Sequence, residues 1–261
     1  LDLDALEDRL RRDRACGLAP FMVVATAGTT SAGAIDPLPE LAALARREQL
    51  WLHADAAWGG AAVLVPELRG LLAGLEQADS ITFDAHKWLS VPMGAGLFLT
   101  RHPGLLTRTF ATRADYMPKD AAGLAVTDPF MHSMQWSRRF IGLKLFLSLA
   151  VAGWSGYAEA LGRMARVGAH LRQRLAARGW PLVNDTPLPI ACFVDGRSPQ
   201  GRSAEHLQTV AQRAVGSGQA WISTVLLRGE QPALRACITN YRTSEADVDA
   251  LVEALDQARR D

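Results

Sequence analysis

The segment Ser80-Ile81-Thr82-Phe83-Asp84-Ala85-His86-Lys87-Trp88 sets a lysine directly after a histidine, at the end of an apolar, strand-like run. A lysine kept out of water loses part of its preference for the ammonium form, and its free amine can then attack an aldehyde carbon near neutral pH. Read alone, Lys87 is a solvated surface charge, as most lysines are. Upstream, Leu50-Trp51-Leu52-His53-Ala54-Asp55-Ala56-Ala57-Trp58 is a second apolar strand, ending in a carboxylate and followed by Gly59-Gly60. A buried carboxylate calls for a cationic partner, and a protonated pyridine nitrogen would answer that call while giving the distant lysine its aldehyde. Pyridoxal phosphate acts as an electron sink only while its ring nitrogen keeps a proton, which is why its enzymes pair a lysine with an acid. Asp55 alone reads equally well as a helix cap or a turn residue. His53 shares a strand face with Asp55, but no third ligand stands at a matching spacing, so no metal is expected.

The surrounding pattern explains how these residues would meet. Phe21-Met22-Val23-Val24-Ala25-Thr26 is β-rich, Ala27-Gly28-Thr29-Thr30-Ser31-Ala32-Gly33 is a loop, and a helix is expected from Asp36, with Asp36 as cap and Pro37 in the first turn. Leu38, Leu41, Ala42, Leu44 and Ala45 give that helix one apolar face. Strands apolar on both faces and joined through a helix predict a parallel sheet covered by helices, with ligands at the carboxyl ends of the strands. Thr29, Thr30, Asp55 and Lys87 all fall at such ends. After Met93-Gly94-Ala95-Gly96 comes a short strand, Leu97–Thr100. From about Thr109 to Ser133 periodicity disappears, which predicts a long loop, either a lid or a connector without function. Helical patterning resumes at Gln135 and runs, interrupted at Gly153 and Gly156, to about Arg178. Strand-like runs at Ile190–Val194, Ala220–Thr224 and Leu234–Ile238, then a helix capped by Ser244 with Asp247 in its first turn, read as a small α/β domain.

Bulk properties exclude more than they select. With 261 residues, 49% hydrophobic, the chain can hold a large core and two domains. A net charge of +1 offers no basic field for nucleic acid. The apolar run Ile141–Trp154 is short for a bilayer and contains Lys144, so no membrane partner is expected. Three widely spaced cysteines, Cys16, Cys192 and Cys237, fit no disulfide framework and point to a reducing, cytoplasmic setting.

Together, Thr26-Ala27-Gly28-Thr29-Thr30, His53-Ala54-Asp55-Ala56-Ala57-Trp58, Asp84-Ala85-His86-Lys87-Trp88, Trp136-Ser137-Arg138-Arg139-Phe140 and Asn240-Tyr241-Arg242-Thr243 resemble the group II pyridoxal-phosphate-dependent amino acid decarboxylases. Aromatic-L-amino-acid, glutamate and diaminobutyrate decarboxylases belong to that family. The resemblance implies the α/β fold type I of pyridoxal-phosphate-dependent transferases, mostly a parallel sheet flanked by helices. It implies a partial large cofactor domain over 1–143, then a linking helix and small C-terminal α+β domain over 144–261. It implies that Lys87 holds the cofactor aldehyde, Asp55 bonds the pyridine nitrogen, Ala57 packs on one ring face, and Thr30, Asp84 and His86 contact the cofactor, His86 near its phosphate. Tyr116, in the lid segment, would donate or position a proton. Arg138 and Arg139 would form ion pairs beneath the lid.

The implied reaction is release of carbon dioxide from a small-molecule L-amino acid, in a homodimer with sites at the interface. The same lysine and aspartate would also serve an aminotransferase, with Arg242 clamping a carboxylate, or an aldehyde synthase; a non-catalytic fragment of the same fold is the remaining alternative. The chain also departs from the family. Nothing before Phe21 supplies the histidine stacked on the cofactor or the phosphate cradle, so the sequence is expected to be the C-terminal portion of a longer enzyme. Asp84 stands where some relatives have Asn, and an ionised Asp cannot donate a hydrogen bond to phosphate.

Overall fold

The computed structural model describes residues 1–111 and 128–260. Helix α1 (Leu3–Ala15) starts where the Asp2 side chain accepts from the Ala5 amide, and β1 (Met22–Thr26) follows. Helix α2 (Leu38–Arg47) buries the predicted stripe of Leu38, Leu41, Ala42, Leu44 and Ala45. Its start corrects the sequence reading, because Pro37 occupies the cap position without a side-chain hydrogen bond. Asp36 instead accepts from the Thr26 amide at 2.7 Å, tying the loop after β1 back to the strand.

The chain continues through β2 (Trp51–Asp55), a 3-10 turn over Gly59–Leu64, the short α3 (Pro66–Arg69), β3 (Ser80–Asp84), β4 (Gly96–Thr100) and α4 (Leu105–Phe110). The four strands form one sheet in the order β1-β2-β3-β4, parallel except for the antiparallel β4. One face is covered: Val23, Ala25, Leu52 and Ala54 are buried. The opposite face is not, among the described residues. There Met22 is 43% and Val24 49% exposed, so the expectation of two covered faces holds for one. The stretch expected to be a loop from Thr109 holds the end of α4 and a 3-10 turn at Pro129–His132; Tyr116 lies outside the described residues.

Helix α5 (Ile141–Ala177) is long, and by length and composition it could cross a membrane. It is broken at Gly153, whose φ of 64° and ψ of 176° suit glycine alone. The part before the break would extend about 18 Å at 1.5 Å per residue, against about 30 Å of bilayer core. That part leaves Phe146, Leu147, Val151 and Trp154 exposed, whereas the second part buries Leu161, Met164, Val167, Leu171 and Leu175 in the core.

The remainder is a three-stranded antiparallel sheet under two helices. Strands β5 (Ile190–Phe193), β6 (Ser223–Leu227) and β7 (Gln231–Cys237) pair in the order β5-β7-β6, with α6 (Ala204–Gly216) packed on β6 and β7, and α7 (Glu245–Ala258) packed against α5 and α6. The strand expected at Ala220–Thr224 lies three residues later, and Trp221 before it is 75% exposed. Helix α7 has the predicted cap: Ser244 accepts from the Asp247 amide while the Asp247 carboxylate accepts from the Ser244 amide.

A buried ionic cluster fastens α7 to the rest of this unit. Arg259 reaches Asp195 at 3.1 Å, pairs with Asp256 and lies 4.1 Å from the Trp180 ring centre. The Trp180 indole donates to Asp256 at 3.0 Å, and His206 bonds Asp195 at 3.0 Å. Burial alone would raise the Asp195 carboxyl, but the Arg197 amide, His206 and Arg259 outweigh it and hold it below the usual range. A carboxyl depressed in the folded state contributes stability above its unfolded pKa and loses it as pH falls through the folded value. Urea unfolding should therefore show stability falling as the solution is acidified through the carboxylate range. Asp195→Ala, which leaves Arg259 with Asp256 as its remaining carboxylate and frees His206, should cost about 1–3 kcal/mol at neutral pH and flatten that acid slope.

Candidate active site

The register of the parallel strands decides what meets at their carboxyl ends. Thr26 pairs with Asp55, and Asp55 with Thr82, so the loop after β1, the turn after β2 and the turn after β3 emerge side by side. Asp55 is exposed there, contrary to its expected burial, and its Oδ1 accepts from the Ala57 amide at 3.1 Å. The carboxylate thus forms the turn that the sequence left open as an alternative, and it remains solvent-accessible for a ligand. The half-buried Ala57 passes its carbonyl to the Asp84 amide at 3.1 Å, which joins the aspartate turn to the lysine turn through main chain.

Lys87 is not dry. Its side chain is 35% exposed and its Nζ lies 2.9 Å from Asp84 Oδ2. The neighbouring His86 accepts from the Ala95 amide through Nδ1 at 3.3 Å, so in the neutral ring Nε2 carries the proton and can donate to an anion. Trp88 and Trp58, one in each turn, are buried and stacked with ring centres 5.6 Å apart. This stack pins the segment bearing Lys87 against the segment bearing Asp55.

His53 is ruled out as a ligand by its own bonds. Nδ1 meets Ser80 Oγ at 2.8 Å and Nε2 meets Thr82 Oγ1 at 3.1 Å, so both ring nitrogens are engaged. Among the described residues no group of three His, Cys, Asp or Glu side chains could hold a metal.

The exposed Thr30 is held from behind by the C-terminal sheet, a feature sequence reasoning missed. Arg235 on β7 donates twice to the Thr30 carbonyl, at 3.0 and 2.8 Å. The next three carbonyls are taken in turn: Ser31 by the Cys192 thiol at 3.1 Å, Ala32 by Asn184 at 2.9 Å, Gly33 by Thr186 at 2.9 Å. Burial raises the Cys192 thiol to about 11, which keeps it a neutral donor. No short-range signal joins residues 30–33 to 184–235; they meet only through the fold.

Among the described residues Arg138 and Arg139 make no ion pair, and both line open grooves. Arg242 lies 5.6 Å from the Tyr241 ring centre. A groove of about 630 Å³ along the edge of β4 includes Phe98, Leu106 and His132 but neither Asp55 nor Lys87. It is apolar and lacks paired charges, so the strand ends remain the site that chemistry selects.

A mostly parallel α/β sheet with an amine and a carboxylate at the ends of neighbouring strands is an arrangement that a pyridoxal phosphate site requires. The sequence matches the pyridoxal-dependent decarboxylase conserved domain over residues 1–194, and the chain belongs to that family. It is 32% identical, over 95% of its length, to an aromatic-L-amino-acid decarboxylase of Bacillus atrophaeus, and covers 52% of that relative. It superposes on Oryza sativa TDC with PLP and tryptamine at a TM-score of 0.91 (27% identity, 100% of this chain, 55% of the other). It superposes on Rhodiola rosea 4-hydroxyphenylacetaldehyde synthase at 0.88 (29% identity, 100% and 54%). The chain thus spans about half the length of the relatives it matches.

The local backbone has no slack around the site. A methyl group on Gly59 would lie 2.2 Å from the Ala27 carbonyl oxygen, whereas one on Gly70 would meet nothing within 4 Å. Gly59→Ala should displace the 27–30 loop and lower unfolding stability by about 1–3 kcal/mol, with Gly70→Ala close to wild type. Urea titration of the two variants in parallel is the check.

Proposed function

We propose that this chain carries the lysine and aspartate half of a pyridoxal-phosphate-dependent amino acid carboxy-lyase, which converts an L-amino acid to its amine and carbon dioxide. The observation that carries the reading is the parallel register that sets Asp55 and the turn bearing Lys87 on adjoining strand ends. Pyridoxal phosphate, when bound, supplies a protonated ring into which the electron pair of the breaking carboxylate bond can spread. The donor set fits it. Lys87 is the amine for its aldehyde, Asp55 is an accessible anion for its ring nitrogen, and His86 offers Nε2–H toward its phosphate. Thr30 stands on a loop held rigid by Arg235, and Ala57 lies in the turn beside Asp55, where a small side chain leaves room for a flat ring.

The roles of these residues follow from their positions. Asp55 keeps a proton on the ring nitrogen by charge. Lys87 would hold the cofactor by its aldehyde and, when its amine is free, could move protons. Asp84, an anion, does not donate to phosphate. Tyr116 we assign to proton delivery at the α-carbon. We place the enzyme in the cytoplasm on its three free cysteines, and as a homodimer on the exposed apolar side chains Phe146, Leu147, Val151 and Trp154.

The test uses the complete gene product and a panel of amino acids. Carbon dioxide should be released without any added 2-oxo acid, and Lys87→Ala should abolish release and the yellow colour of the bound cofactor. Conversion of an added 2-oxo acid to its amino acid, with no carbon dioxide released, would instead establish transamination. The likeness to an aldehyde synthase makes the product a second readout. Tyr116→Phe should lower the ratio of amine to aldehyde at least several-fold, measured by chromatography, and an unchanged ratio would remove Tyr116 from the mechanism.

A further inference from the structure

The ion pair between Asp84 and Lys87 has a consequence for loading of the site. The two residues sit three apart in the turn that leaves β3, with Asp84 Oδ2 2.9 Å from Lys87 Nζ. Main chain fixes that meeting: the Asp84 amide donates to the Ala57 carbonyl and the Lys87 amide donates to the Asp84 carbonyl, each at 3.1 Å. Gly96 faces Asp84 across the β3–β4 pair, and a methyl group there would lie 2.9 Å from Asp84 Oδ1. Glycine at 96 therefore leaves the carboxylate the space in which it meets the amine. The pair is partly screened from water, at 18% exposure for Asp84 and 35% for Lys87.

An amine attacks a carbonyl carbon only with its lone pair free and turned toward that carbon. We propose that Asp84 is a positioning residue that latches Lys87 in the unloaded protein, so that the amine must leave the carboxylate before it can reach an incoming aldehyde. The proposal rests on Lys87 being the residue that takes the cofactor. On loading, Lys87 leaves Asp84 and releases one proton to solvent. Its nitrogen then bonds the aldehyde carbon, and the aldehyde oxygen departs as water with the two remaining amine protons. Asp84 is left without its counter-ion, so the latch opposes loading and favours the empty state. Asparagine would keep the shape of the side chain and remove the charge.

The chain contains three lysines, Lys87, Lys119 and Lys144, which makes the latch measurable without the cofactor. Trace acetylation of the cofactor-free protein at fixed pH, quantified by mass spectrometry of lysine peptides, gives the rate at Lys87 relative to Lys144. Asp84→Asn should raise that ratio about two- to fivefold, the range for a partly exposed ion pair, while Asp84→Glu, which keeps the charge, should stay near wild type. Raising ionic strength should raise the ratio in wild type and leave it unchanged in Asp84→Asn, a comparison that stands even if the Glu variant misfolds. Equal ratios in wild type and Asp84→Asn would overturn the latch. In a second arm the full-length protein is incubated with pyridoxal phosphate and reduced with borohydride. Faster acetylation in Asp84→Asn with no cofactor fixed at Lys87 in any variant would keep the latch and overturn the cofactor reading. Cofactor fixed at Lys87 with unchanged acetylation would do the reverse.

Discussion

The structure depends on one alignment, the in-register parallel pairing of β2 with β3. Because Asp55 lies opposite Thr82, the turn that follows each strand starts at the same level, and the Asp84 amide can reach the Ala57 carbonyl. A slip of one residue would send Asp55 to the other face of the sheet and away from the turn that carries Lys87. The stack of Trp58 on Trp88 opposes such a slip, since it joins the two turns by large buried surfaces just beyond the strands. The site is therefore specified mostly by the sheet and only secondarily by contacts between its own side chains.

The second organising feature is the support of the threonine loop by side chains of the C-terminal sheet and the segment leading into it. Four successive carbonyls, at residues 30 to 33, are each taken by a side chain from the segment 184–235. A loop at a strand end carries carbonyls that neither a helix nor a ladder satisfies, and here Arg235, Cys192, Asn184 and Thr186 satisfy them. The buried cluster of Asp195, Asp256, Arg259 and Trp180 fastens α7 to the C-terminal unit that supplies these side chains.

Much of this was legible in the sequence, and the failures have physical reasons. Alternating and helical periodicities located β1, β2, β3, α2 and α7, and the residue types at the strand ends pointed to the chemistry before any coordinates. The burial of Asp55 and Lys87 was misjudged because the apolar runs before them were extended to the charged residues themselves, while the turn that follows lifts both toward solvent. Asp36 looked like a cap, but tertiary contact with the Thr26 amide outweighed local preference. The strand at Ser223 was placed early because Trp221 is apolar, yet it lies exposed. The clamp from Arg235 could not be read at all, since it joins residues about two hundred positions apart.

The central claim is that one heterocycle meets Lys87 at its aldehyde carbon and Asp55 at its ring nitrogen. The most direct test is the nitrogen-15 spectrum of ring-labelled pyridoxal phosphate bound to the full-length protein, in wild type and Asp55→Ala. The account predicts a protonated ring nitrogen in wild type and loss of that proton in Asp55→Ala, with the cofactor still fixed at Lys87 by borohydride in both. A ring nitrogen in the same protonation state in the two proteins would contradict it.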